Sequence, residues 1–109
     1  SLEVWQLRRI LDSLDRKHDQ ASALENRLQE KLEVRKEYLQ EMKEELRKDE
    51  FKKEQKAIVE LEGTRNYYTR KKERLRRDKM KVFSLIKEAN SKESGTSKVE
   101  EPKPIPIAS

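Results

Sequence analysis

The residues best placed to do chemistry in this chain are cations. Residues 65–81, RNYYTRKKERLRRDKMK, hold nine of them: Arg65, Arg70, Lys71, Lys72, Arg74, Arg76, Arg77, Lys79 and Lys81. Only Glu73 and Asp78 oppose them, and Tyr67 and Tyr68 stand alongside. On a helix these charges spread around most of the circumference. The resulting positive field suits a polyanion such as nucleic acid, acidic tubulin tails or an anionic lipid surface. A run of charge is a weak motif, however, and the same residues suit a solvated helix or one that meets an acidic partner helix. Leucine-zipper transcription factors set a basic helix directly before the zipper, with Asn and Arg spaced for base edges. Here the block follows the stronger heptads and no such Asn pattern occurs, so the chain does not read as one.

Other chemistry is quickly excluded. The chain has one histidine, His18, and no cysteine, so neither a thiolate metal site nor a disulfide framework can be built. His18 falls on an apolar seam, where a structural role is expected. The Asp and Glu pairs at helical spacing read as solvated salt-bridge partners. With 32% apolar and 45% charged residues, the chain lacks the core needed to form a pocket in which a carboxylate could be tuned. No enzyme, cofactor, metal or small-molecule substrate is expected.

What must position the cations is a heptad repeat. Alternate steps of three and four give Val4, Leu7, Leu11, Leu14, His18, Ala21, Glu25, Leu28, Leu32, Arg35, Leu39, Met42 and Leu46. Ten of these 13 are apolar, and a 3.5-residue repeat sustained over this length keeps one narrow stripe facing a partner helix. Charge at Glu25 and Arg35 is costly in a seam unless an opposite charge meets it. A parallel homodimer would stack each on itself. An antiparallel pair crossing at residue 30 matches Glu25 with Arg35, Leu14 with Leu46, His18 with Met42, Ala21 with Leu39 and Leu28 with Leu32. It leaves Lys31 facing itself. A heteromeric partner with complementary charges is the alternative. The apolar g positions Ile10, Leu24 and Tyr38 widen the stripe enough for three or more helices.

Past Leu46 no Gly or Pro interrupts the run RKDEFKKEQK, so the helix is expected to continue. A second repeat runs through Phe51, Ile58, Leu61, Tyr68, Leu75, Val82, Ile86 and Ala89, with Glu54, Arg65, Lys72 and Lys79 in the remaining places. It is out of phase with the first by two residues, which demands re-winding or a bend. Gly63 followed by Thr64 is the one helix-break signal in this region. Without a break, the helical part is a rod about 130 Å long at about 1.5 Å per residue. With one, a hairpin can fold residues 75–86 back onto the first half.

Charge divides the chain similarly. Residues 1–62 carry a net −2, residues 63–92 a net +8 and residues 93–109 a net −1. From Ser91 the sequence SKESGTSKVEEPKPIPIAS has no helical period and reads as a disordered tail. Its Ile105-Pro106 is similar to the Ser/Thr-x-Ile-Pro motif of microtubule-tip ligands, with Lys103 in the Ser/Thr place, and Ile105-Pro106-Ile107 is similar to the Ile-x-Ile of small heat-shock protein tails. A plain tail is the expected reading. No apolar run is long enough to span a membrane and no signal peptide opens the chain, so a soluble intracellular setting is expected, cytoplasmic, cytoskeletal or nuclear. Heptads that start at once suggest a piece of a longer protein.

The sequence thus predicts an all-α chain, a long helix or helical hairpin forming a coiled coil with a disordered C-terminal tail. Its regions are a mixed-charge heptad coiled coil (1–50), a basic helical segment with a possible break at Gly63 (51–90) and a Pro-containing tail (91–109). The expected function is a non-enzymatic interaction or oligomerisation module of a larger scaffold or cytoskeletal-type protein, presenting a basic helix to a partner. That partner is a second copy, favoured as an antiparallel dimer, or another helical chain, with an acidic partner such as nucleic acid or tubulin also open. The alternative is a polyanion-binding protein acting through residues 65–81, with the coiled coil supplying multivalency.

Overall fold

The computed structural model describes residues 2–94, which form two helices, α1 (Val4–Glu41, 38 residues) and α2 (Lys48–Ser94, 47 residues). The fold is an all-α helical hairpin. The first four residues of the expected tail, 91–94, continue α2. The rest of it, including Ile105-Pro106-Ile107, lies outside the described residues.

Both helices begin with the same local device. The Glu3 amide donates to Gln6 Oε1 at 2.8 Å, and the Arg47 amide donates to Glu50 Oε1 at 2.9 Å. Each is the returning half of a capping box, in which the side chain at N3 satisfies the amide at the N-cap. Leu2 and Leu7 stand at the N′ and N4 positions of the first helix, and Leu46 and Phe51 at those of the second, the placement of a hydrophobic staple. Asp49 and Glu50 add negative charge to the first turn of α2, where the helix dipole favours it.

The chain reverses at residues 42–47, where continuous helix is expected from the sequence. The Met42 carbonyl accepts from the Glu45 amide at 2.9 Å and from the Leu46 amide at 3.0 Å, closing the turn. The reason lies in the phase of the two repeats. An unbroken helix would carry the second apolar stripe away from the first, and a turn between them absorbs the two-residue slip without re-winding. Gly63 does not break α2. It is exposed within the helix, and a Cβ added there would meet nothing within 4 Å.

The hairpin comprises two compact units, each built from antiparallel helix segments. In the unit Arg16–Arg76, which contains the turn, Ala21, Leu32, Ile58 and Leu75 are buried. In the other unit, where residues 2–15 meet residues 77–94, Leu7 and Val82 are buried, and Leu2, Leu7, Leu85 and Ala89 line a shared groove. The heptads account for this pattern. Every residue of the α1 seam from Val4 to Leu46 is buried or half-buried except Arg35, and so is every residue of the second repeat from Phe51 to Ala89. Such burial stabilises by about 25 cal/mol per Å² of apolar surface removed from water, which drives the two stripes together.

Candidate functional site

The seam that suits a partner helix is met here by the chain's own second helix. In the Arg16–Arg76 unit, Glu25 receives Lys72 Nζ at 2.8 Å on one oxygen and the Thr69 hydroxyl on the other. The hydrogen bond from Lys72, then that from Thr69, holds the Glu25 carboxyl below its ordinary value, against the opposing effect of burial and with the charges of Lys72 and Arg65 assisting. Arg65 Nη1 donates to Gln29 Oε1 at 2.7 Å, while its Nε and Nη2 donate to Asn66 Oδ1. Arg35 Nη1 lies 2.8 Å from Glu54 Oε1, and Lys36 Nζ lies 3.0 Å from Glu62. In the other unit, Lys79 Nζ reaches Asp15 at 2.7 Å. Both seam charges expected to pair with each other across two copies, Glu25 and Arg35, therefore have partners within one chain.

This sorts the nine basic residues of 65–81. Arg65, Lys72 and Lys79 are half-buried and face α1. Arg76 is tied to Glu73 one turn back at 2.9 Å, and Lys81 lies 4.0 Å from Asp78. Arg70, Lys71, Arg74 and Arg77 have no ion pair among the described residues, and all but half-buried Lys71 are exposed. The surface available to an acidic ligand is smaller than the sequence suggests. Its members sit outside the 3.5-residue repeat, a signal present in the sequence once the second register is taken as a buried face.

The second feature is apolar. In the Arg16–Arg76 unit Leu24, Val34, Tyr38, Val59 and Tyr67 are exposed, and in the other unit Trp5, Ile10, Met80, Phe83 and Leu85 are. The g positions Ile10, Leu24 and Tyr38 thus remain uncovered by α2. Tyr67 and Tyr68 pack edge to face with ring centroids 5.0 Å apart, and Tyr68 turns inward while Tyr67 faces out. Beside Val34 a groove of about 750 Å³ runs between the helices, lined by Arg27, Lys31 and Val34 on α1 and by Ala57, Glu60 and Leu61 on α2.

His18 takes its place on the seam, half-buried, with Nδ1 4.0 Å from Asp19. Among the described residues no three His, Asp or Glu side chains converge as metal ligands do, and no helix is long and apolar enough to cross a membrane. Comparison with protein-family models, with curated proteins and with solved structures gives no match.

Proposed function

We propose that this chain is a non-enzymatic helical interaction module of a larger scaffold or cytoskeletal-type protein, presenting the basic outer side of α2 to an acidic partner helix. The observation that carries this reading is the division of labour among the cations. Three of the nine complete the hairpin's own seam, whereas Arg70, Arg74 and Arg77 are exposed and, like half-buried Lys71, have no ion pair among the described residues. Unpaired cations on an already closed hairpin add nothing to its folding and attract an acidic surface. The test is retention of the chain on an immobilised poly-glutamate peptide at low salt. Replacing Arg70, Arg74 and Arg77 together by Gln should abolish retention with helicity unchanged. Undiminished retention would sink the reading.

A second reading, direct contact with a nucleic acid or another polyanion, draws on the same cations and on exposed Tyr67, an aromatic of the kind on which bases stack. Salt separates the two. Six or more phosphate contacts lower affinity by about three orders of magnitude between 50 and 200 mM salt. A shallow dependence measured with duplex DNA and with single-stranded RNA would favour the helix partner.

A further inference from the structure

With the a and d seam of α1 consumed by α2, the helix retains a second stripe on its outer side. Leu24, Arg27, Lys31, Val34, Tyr38 and Glu41 follow one another at steps of three and four, so they share one face of α1. All six are exposed, and the apolar members at its centre are conspicuously so, Val34 at 65% and Tyr38 at 45%. Arg27, Lys31 and Glu41 have no ion pair among the described residues. Its last four members, Lys31, Val34, Tyr38 and Glu41, run cation, apolar, apolar, carboxylate, and that order read backwards is its own complement.

We propose that two copies of the hairpin associate antiparallel through this outer stripe of α1, about a two-fold axis near residue 36. That position lies midway between 34 and 38 and also midway between 31 and 41. It therefore sets Val34 of each copy against Tyr38 of the other, and Lys31 against Glu41, twice each. A parallel arrangement stacks Lys31 on Lys31 and Glu41 on Glu41, which is unfavourable. Shifting the axis toward the N-terminus so that Val34 meets Lys31 buries a cation on an apolar side chain. The groove beside Val34, lined on α2 by Ala57 and Leu61, receives the other copy's α1 and adds apolar contact to the stripe. A further gain comes from the helix end. Glu41 closes α1, whose last turn carries no basic residue, so no cation of that turn offsets the negative end of the helix dipole. Lys31 of the second copy supplies one.

The inference rests on the module reading, in that the seam must be closed within each chain before the outer stripe is all that remains. Sedimentation equilibrium of the full chain at moderate salt should show a reversible monomer–dimer equilibrium. Lys31→Glu and Glu41→Lys should each weaken it at least tenfold, and the double variant should recover most of the loss. Because the chain has no cysteine, mixing Val34→Cys with Tyr38→Cys chains should give a cross-chain disulfide faster than either variant alone. A chain that stays monomeric at every concentration, or a dimer unmoved by both charge reversals, overturns the proposal. The two readings fail separately. If dimerisation ignores Lys31 while poly-glutamate retention still depends on Arg70, Arg74 and Arg77, only the dimer is lost, whereas retention that ignores those three arginines while dimerisation responds to Lys31 removes only the module reading.

Discussion

Neighbouring residues of one type do different work in this chain: Lys71 and Lys72 are both half-buried, yet of the two only Lys72 forms an ion pair with α1 among the described residues. One step in sequence turns a side chain by about 100° around a helix, enough to carry the Lys71 ammonium away from the seam carboxylate. At the seam Lys72 meets Glu25, which accepts from Thr69 as well. Since both the charge and the hydrogen bonds favour the ionised carboxyl, the folded-state pKa of Glu25 lies below its ordinary value of 4.5. A depressed carboxyl pKa contributes stability above the unfolded value, and that stability is lost as pH falls through 4.5 and then through the folded value. Glu25→Gln should therefore lower stability near pH 7 by on the order of 1 kcal/mol, with solvent screening allowed for. The gap between variant and wild type should close in melts taken progressively below pH 4.5. A gap that persists at the acid end would show that packing, not charge, was removed.

At the scale of the element, the helices were legible in the sequence and their ends were not. Periodicity located both buried faces because the seam positions 4–46 and 51–89 follow one repeat each, and all of them but Arg35 are buried or half-buried. The turn was hidden because its six residues, Met-Lys-Glu-Glu-Leu-Arg, are all compatible with a helix and carry no Gly or Pro. What marked it was the slip of phase on either side, together with Glu50 three residues after Arg47, half of a capping box whose other half is missing. Glu50→Ala should cost roughly 0.5–1 kcal/mol by freeing the Arg47 amide and removing first-turn negative charge, and chemical denaturation reads it directly. Gly63 misled in the opposite direction, since a glycine is tolerated in a helix at only modest cost. Its Cβ position is open, so Gly63→Ala should stabilise by about 0.5–1 kcal/mol, and a destabilised variant would mean that the helix is not continuous there.

For the molecule as a whole, the partner of the seam is decided by something that heptads do not encode. The rules that match Glu25 with Lys72 and Arg35 with Glu54 hold equally between chains and within one, so residue pattern alone leaves the choice open. Tethering settles it. A short connection holds α2 near α1 at an effective concentration in the millimolar range, well above that of a second chain in solution. The order of polar residues, acid, amide and base along α1 against base, base and acid returning along α2, was present in the sequence and needed only the position of the turn to be recognised. Cutting the backbone between Glu44 and Glu45 should leave two fragments that form a helical one-to-one complex. Its melting midpoint should now depend on concentration, and fragments that fail to combine would count against the seam as drawn.

A turn made entirely of helix-compatible residues has one more consequence. Residues 42–47 carry no Gly or Pro, and the Leu46 amide already bonds the Met42 carbonyl at helical i→i−4 spacing, so the reversal opens at little local cost, although the two-residue slip of phase requires re-winding or a bend before both stripes can face one partner. Two opened chains could then trade second helices and rebuild every seam pair in trans, giving a domain-swapped dimer with the same core. Refolding the Lys31→Glu variant from denaturant at high concentration is expected to trap such a species, one that dissociates only slowly on dilution. Inserting Gly-Asn after Glu44 should suppress it by making the reversal cheaper than the straight path. If the insertion leaves the trapped fraction unchanged, the hinge lies elsewhere; if it removes it, residues 42–47 act as the switch between a closed monomer and an exchanged pair.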